Sequence, residues 1–451
     1  MVDEVDWASA VAMSTDARWG NEMTSNNPNL SLAERVASAL TIPQVELRPA
    51  AGGAGNLAFE VHDPSLPGAP VAFLRCKQGD GGREEMGYTL VREAALLRQA
   101  ERMGFPVAPV VATFTDPDAI LMRVVPGTSR PEADEIEIVG PKYMALIAAV
   151  HASDSSLYPV EQHATMTDAI AAELALWTNE ARDRGVMDIA LTALAQRILT
   201  EQMPNGSQRP SLVHGDVGAG NFMCQNGEVT AMLDWELAHL SDPHEDLAWM
   251  WMRGAHTSFG DPQRRIAEYA AASGASVDRQ RLDWFLALVM WKSVVSVQSR
   301  LLSVVPGELA MISTIVRLTY DALLGNQLVK LLGGSLPLLT QTPERSNEPE
   351  ANLAEELLTV GSLAPDQRVV VEFLRDSAAN GPWERRCLED DCRSLLGIST
   401  DELRGHIDTC PSDELLPLAM VVGRLADRKA QAMPKAVRRI ERAQRIGLGV
   451  A

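Results

Sequence analysis

Two short stretches of this chain carry side chains whose types and spacing suit one reaction. The first is His214-Gly215-Asp216-Val217-Gly218-Ala219-Gly220-Asn221, and the second is Leu233-Asp234-Trp235-Glu236. An Asp, an Asn five residues later and another Asp thirteen residues after that Asn supply one proton acceptor and two hard oxygen donors. Phosphoryl transfer needs such a set, because a phosphoryl group in flight asks for little covalent help. The protein must instead position a hydroxyl, hold Mg²⁺ on nucleotide phosphates and neutralise spreading negative charge. In this reading Asp216 is the catalytic base that takes the hydroxyl proton, while Asn221 and Asp234 are the metal ligands. Asp and Asn in Gly-rich loops also form ordinary turns. Asn221 at its interval, the apolar run ahead of Asp234, and Asp242 and Asp246 downstream favour the chemical reading.

The elements that must position these groups are visible around them. Ser211-Leu212-Val213 is an apolar entry to the first loop, and Val229-Thr230-Ala231-Met232-Leu233 reads as a short buried strand with Asp234 at its end. Upstream, Ala51-Gly52-Gly53-Ala54-Gly55-Asn56 sits between Val45-Glu46-Leu47-Arg48 and Leu57-Ala58-Phe59-Glu60-Val61. That strand-turn-strand pattern lets the amides of Gly52, Gly53, Ala54, Gly55 and Asn56 approach phosphate. Val71-Ala72-Phe73-Leu74-Arg75 reads as a strand ending in a cation, with Lys77 on the same face by period two. Arg92 to Ala100 opens an amphipathic helix. Its Glu93 is placed both to pair with that cation and to suit a helix N-terminus.

The loop, the strand end and Ser241-Asp242-Pro243-His244-Glu245-Asp246-Leu247-Ala248 together resemble the aminoglycoside phosphotransferase and choline kinase-like family, from about residue 30 to about residue 330. The resemblance implies an α+β class and a bilobal protein-kinase-like fold, with a small antiparallel-sheet nucleotide-binding lobe over residues 30–125 and a larger helical catalytic lobe over 126–335. It implies that Arg75, favoured over Lys77, holds phosphate with Glu93 as its partner. Backbone groups from Met122 to Val124 would hold the purine edge. His151 is similar to the His closing a large-lobe helix in the family, where a structural role is expected. The implied activity is a Mg²⁺-dependent transfer of the γ-phosphate of ATP, or of GTP, to a hydroxyl of a small molecule. Acceptors in the family include aminoglycosides, macrolides, choline and hydroxyacyl metabolites, and the Gly-Gly-Ala-x-Asn with Leu-Arg resembles the branch associated with acyl-CoA dehydrogenases. The alternative is a nucleotide-binding pseudokinase scaffold that recruits a partner through its C-terminal helices. A scaffold has no physical need for an acid at both 216 and 234. Glu236 stays open between a second metal, the substrate and plain solvation.

Outside the resemblance, residues 1–29 form an N-terminal extension. The polar, Pro-bearing stretch around Thr342 to Glu350 reads as a linker over 336–352, and residues 353–451 as a helical C-terminal region without an assigned role. With 451 residues the chain can bury two lobes and more. No apolar run reaches the roughly 18–20 residues of a membrane span, and no charged-then-apolar signal opens the chain, so a cytoplasmic location is expected. A net charge of −20 argues against non-specific nucleic-acid binding. Five cysteines at irregular intervals do not suggest a disulfide framework. Cys387 and Cys392 with His406 and Cys410 raise zinc, but the intervals match no zinc pattern closely and partly buried thiols are expected. The expected partners are a nucleotide and a hydroxylated small molecule, with neither nucleic acid nor membrane; nothing in the sequence sets the oligomeric state.

Overall fold

The computed structural model describes residues 31–50, 56–66, 68–77, 86–115, 117–254, 257, 259–301, 307–336, 400–431, 439–440 and 445–448. Gly52, Gly53, Ala54 and Gly55 lie outside the described residues, as do Cys387 and Cys392. The chain divides into two compact units: Met1–Ala164, Arg209–Asp246 and Phe259–Ser276 form one, and Thr165–Gln208, Leu247–Ser258 and Val277–Ala451 the other.

The first unit is built on a five-stranded antiparallel sheet. Its strands are β1 (Glu46–Ala50), β2 (Asn56–His62), β3 (Ala72–Lys77), β4 (Val110–Thr115) and β5 (Asp118–Arg123), in the order β1-β2-β3-β5-β4. Alternation along β3 sorts its side chains between two faces. Ala72, Leu74 and Cys76 are buried with Phe59, Val61, Ala119 and Leu121, and Val36 of α1 (Leu32–Leu40) completes that core. Arg75 therefore projects from the other face. Ser31 caps α1 by accepting from the Glu34 amide, while the Glu34 carboxylate accepts from the Ser31 amide. Thr89 caps α2 (Leu90–Arg102) by accepting from the Arg92 amide at 3.1 Å. This helix buries Leu90, Ala94, Leu96, Leu97 and Ala100 along one stripe, and Glu93 is buried with them.

Two small ribbons complete the framework of the first unit. β6 (Ser211–Val213) pairs antiparallel with β9 (His239–Ser241), and β7 (Phe222–Gln225) pairs with β8 (Glu228–Met232). The strand expected ahead of Asp234 is thus present as β8, and the apolar entry to the loop is β6. The long helix α3 (Ala133–Ala152) packs against a later helix, α7 (Pro262–Ser273), where the fully buried guanidinium of Arg265 donates to the Phe259 and Ile136 carbonyls.

The second unit is helical. It contains α4 (Met166–Asp183), α5 (Ala190–Glu201), most of α6 (His244–Arg253), α8 (Arg279–Leu301), α9 (Gly307–Leu331), α10 (Thr400–Thr409) and α11 (Leu415–Gln431). Trp284 and Trp291 are core residues here, as large aromatics in apolar helical stretches commonly are. Their indole N–H groups donate to the carbonyls of Leu199 and Thr192, both at 3.1 Å. α9 and α11 cross where Gly325 faces Gly423; a Cβ on Gly325 would lie 2.6 Å from the Gly423 Cα, so only glycine admits this approach. Among the described residues no helix is long and apolar enough to cross a membrane.

Candidate active site

The antiparallel β7–β8 ribbon carries the metal-ligand candidates to a common end. Its first register pair is Phe222 with Met232, so the residues just beyond, Asn221 and Leu233, are neighbours across the ribbon. The Leu233 amide donates to the Asn221 carbonyl at 2.9 Å. The Leu233 carbonyl in turn accepts from Nε2 of His214 at 2.7 Å. Leu233 is therefore held on both sides of its peptide by the His214–Asn221 loop, and Asp234 follows directly. Asp234 itself has φ +62°, a left-handed conformation that costs a non-glycine residue energy and is tolerated best by Asp and Asn.

Within the loop, Asn221 Nδ2 donates to the Asp216 carboxylate at 2.6 Å and to the Asp216 carbonyl at 2.7 Å. These bonds pin the Asp216 side chain and turn the amide oxygen of Asn221 to the opposite side of its plane. Gly215 has φ +80°, and a Cβ there would run into the Leu237 carbonyl, so glycine is required where the loop passes under that segment. The loop is anchored from below by Asp246, at the start of α6. Its carboxylate accepts from the backbone amides of His214 at 2.7 Å and Gly215 at 2.8 Å. His151, near the end of α3, donates Nε2–H to the same carboxylate at 2.8 Å, which leaves Nδ1 to accept from the Tyr269 hydroxyl at 2.8 Å. Asp242 accepts from the His244 amide at 2.9 Å and so opens α6.

The sheet supplies the opposing cation. Arg75 on β3 places Nη1 2.6 Å from the Glu93 carboxylate of α2, and Nη2 3.4 Å from Asp234 and 3.2 Å from Glu236. Burial works against the charge on Arg75, and the three carboxylates more than offset it, holding the guanidinium protonated well above its ordinary range. Glu93 is 2% exposed. Burial pushes its carboxyl up, to about 7, and Asp234 and Glu236 add to that push while Arg75 opposes it. Three acids around one guanidinium leave an excess of negative charge, and Asp234 retains about a third of its side-chain exposure, at 32%. A partly open carboxylate in an acidic surrounding, at the ribbon end it shares with Asn221, is the hard oxygen donor that a divalent cation such as Mg²⁺ takes.

Of the other residues expected at the site, Asn56 opens β2 and donates Nδ2–H to Glu236 at 3.4 Å. Met122 lies inside β5, paired with Phe73 on one side and Val110 on the other, whereas Val124 is just past the strand and exposed. Lys77 ends β3, in register with Asn56. Two contacts were not legible beforehand, that of Glu236, left open on sequence between metal, substrate and solvent, with Arg75, and that of Arg92 with the turn after Asp234. Glu236 joins the Arg75 cluster because a 3₁₀ turn over Trp235–Leu237 reverses the chain straight after Asp234. Arg92 donates to the carbonyls of Glu236, at 3.1 Å, and Ala238, so adjacent residues of α2 grip Arg75 and the turn after Asp234. Only their adjacency to Asp234 and Glu93 hinted at either.

A family model described as the phosphotransferase enzyme family matches residues 46–285, which takes in every residue of this candidate site. The chain belongs to the phosphotransferase enzyme family. The resemblance read from its loop, strand end and Asp-Pro segment is thereby borne out, and the antiparallel sheet followed by helices is the architecture that the resemblance implies. Among curated proteins, the chain is 27% identical to acyl-CoA dehydrogenase family member 10 of Mus musculus over 38% of this chain and 17% of that protein. It is 24% identical to acyl-CoA dehydrogenase family member 11 of Homo sapiens over 58% of this chain and 36% of that protein. The chain thus spans about a third or less of the length of these relatives. Among solved structures it is similar to a thermostable mutant of aminoglycoside phosphotransferase APH(4)-Ia in a ternary complex with AMP-PNP and hygromycin B, at 17% identity and a TM-score of 0.45, covering 59% of this chain and 90% of that one.

Proposed function

We propose that this member of the phosphotransferase enzyme family is a small-molecule kinase that moves the γ-phosphate of ATP, or of GTP, to a hydroxyl of a small acceptor. The observation that carries the reading is the Arg75 guanidinium held between Glu93 of α2 and the Asp234–Glu236 turn, beside a loop in which Asn221 pins Asp216. ATP as donor is supported by the AMP-PNP complex of the similar aminoglycoside phosphotransferase.

In this reading Arg75 contacts the nucleotide phosphates, and Glu93 keeps the guanidinium extended toward them. Asn221 and Asp234 would hold Mg²⁺, which when bound neutralises charge on the phosphates. Asp216 accepts a hydrogen bond from the acceptor hydroxyl and orients its lone pair along the line of attack. As the new oxygen–phosphorus bond forms, the bond to the departing nucleoside diphosphate breaks, and the hydroxyl proton passes to the Asp216 carboxylate. The Asn221 amide, already bonded to Asp216, fixes which carboxylate oxygen faces the hydroxyl. The glycine-rich stretch ahead of Asn56 covers the phosphates, and the backbone around Met122 to Val124 takes the purine edge. We read the acceptor as a hydroxylated acyl compound rather than an antibiotic, a reading that the acyl-CoA dehydrogenase names of the relatives support.

Thermal unfolding with Mg²⁺-ATP and with Mg²⁺-GTP tests this, because a ligand that binds only the folded state raises its stability by about 2.7 kcal/mol at a hundred times its Kd. The wild type should gain stability only when the nucleotide and Mg²⁺ are both present, and Asp234→Asn should lose most of that gain. Absence of any shift in the wild type at millimolar nucleotide would reject the kinase reading.

A further inference from the structure

We propose that the C-terminal helices hold a transition-metal ion of the zinc class on His406, Cys410 and Glu414 of the second unit. His406 lies in the last turn of α10, Cys410 directly follows that helix, and Glu414 ends the 3₁₀ turn over Ser412–Glu414. One imidazole nitrogen, the thiol sulfur and one carboxylate oxygen all lie within 4.8 Å of one another.

Helix geometry explains the convergence. His406 and Cys410 are four residues apart, so they stack on one face at the end of α10, where the Cys410 amide still donates to the His406 carbonyl at 2.8 Å. Pro411 then ends the helix and returns the chain, bringing Glu414 to within 3.0 Å of His406 Nε2. Thiolate, imidazole and carboxylate are together the ligand types that zinc takes, at about 2.0–2.3 Å each, so modest side-chain rotations would close the three atoms on one ion.

The surroundings favour a ligand role for the sulfur over an inert core thiol. Cys410 is buried, and its sulfur accepts from Arg197 Nη1 of α5 at 3.1 Å, while the same guanidinium donates to the carbonyls of Ile407 and Cys410. Arg197 is itself braced by Glu201 at 2.9 Å. A buried sulfur oriented by a fixed donor is the outer-shell arrangement that aims metal-bound thiolates. Binding through the Cys410 sulfur releases the thiol proton to solvent. His406 and Glu414 face outward and give the ion an entry. Cys387 and Cys392, grouped with this pair on sequence, lie outside the described residues, and the three donors named stand without them.

The probe is Co²⁺ added to the full-length, metal-stripped, reduced protein, with zinc content measured in parallel on protein purified without chelator. One equivalent of Co²⁺ should give the near-ultraviolet thiolate-to-cobalt charge-transfer band, and Zn²⁺ should bleach it. Cys410→Ser should abolish the band, and His406→Gln should weaken binding by at least about tenfold, on the scale seen when metal-site groups are removed. His406 is partly exposed, so if Cys410→Ser fails to fold, His406→Gln with an unchanged circular dichroism spectrum carries the test. A wild type with no band, or full band intensity and affinity in either folded variant, overturns the site.

Discussion

His151 lies with Nε2 2.8 Å from the carboxylate of Asp246, although 95 residues separate the two in the chain. That carboxylate is fully buried and also collects the amides of His214 and Gly215. Asp246→Ala should therefore leave two backbone donors and one imidazole unpaired, and each unsatisfied buried group costs about 1–3 kcal/mol. We expect a large fall in the thermal midpoint with activity lost in parallel. His151→Ala should cost less, and a double-mutant cycle on the pair should return a coupling of about 0.5–3 kcal/mol. Additivity of the two changes would show that the hydrogen bond does not transmit order to the loop.

Replacing Glu93 with Gln removes the charge that faces Arg75 at 2.6 Å while keeping the shape. Arg75 is then left to Asp234 and Glu236, which draws it toward the metal side and away from the phosphates. A displacement of about 1 Å in such a site costs about a hundredfold in rate. The expected result is a loss of that order in kcat/KM with the fold retained by circular dichroism. Full activity in Glu93→Gln would show that Arg75 needs no support from α2.

Gly215→Ala puts a Cβ against the Leu237 carbonyl at a position with φ +80°. Strain of this kind costs about 1–3 kcal/mol. Because the loop and the turn after Asp234 are pressed together there, the relief should come from separating them. Phosphotransfer should fall further than stability does, measured as the ratio of kcat loss to the shift in thermal midpoint.

Arg92→Leu tests the grip on the turn that follows Asp234. The guanidinium donates to the Glu236 and Ala238 carbonyls, and its loss frees the turn without touching the proposed metal ligands. The Mg²⁺ concentration for half-maximal activity should rise several-fold, and chemistry at saturating Mg²⁺ should change less. An unaltered Mg²⁺ dependence would sink this role.

Burial pushes the thiols of Cys76 and Cys224 up, to about 12 and about 11. Both are raised above an ordinary thiol near 8.5, so at pH 8 only about one in a thousand or fewer would be thiolate. Peptide mapping after brief iodoacetamide treatment at pH 8 should find both unmodified in the folded protein and both modified after denaturation. Rapid labelling of Cys76 in the native state would mean that the core under β3 opens.

The candidate reacting groups were readable in the chain because they reside in short intervals. Between Asp216 and Asn221 only four residues intervene, and a loop that short leaves few ways for the two side chains not to meet. The apolar run before Asp234 and the alternation that puts Arg75 opposite Leu74 and Cys76 are likewise local, since strand periodicity alone assigns the face. The Thr89 cap and the apolar stripe of α2 follow from residues within one helix. The antiparallel-sheet lobe and the helices after it were implied by the family resemblance that those short motifs carry.

Contacts between distant segments carry no such signal. Glu236 could have faced solvent as readily as Arg75, 161 residues away, and Arg92 gives no hint in its own helix that it will hold the turn after Asp234. Asp246 binding the amides of His214 and Gly215 depends on where α6 begins in space. The convergence of His406, Cys410 and Glu414 depends on how Pro411 returns the chain. Residue order governs which side chains share a strand face or a helix turn, through backbone periodicity and short loop closure. Which faces then meet is governed by the packing of whole elements against one another, a cooperative property of the core that no local interval encodes.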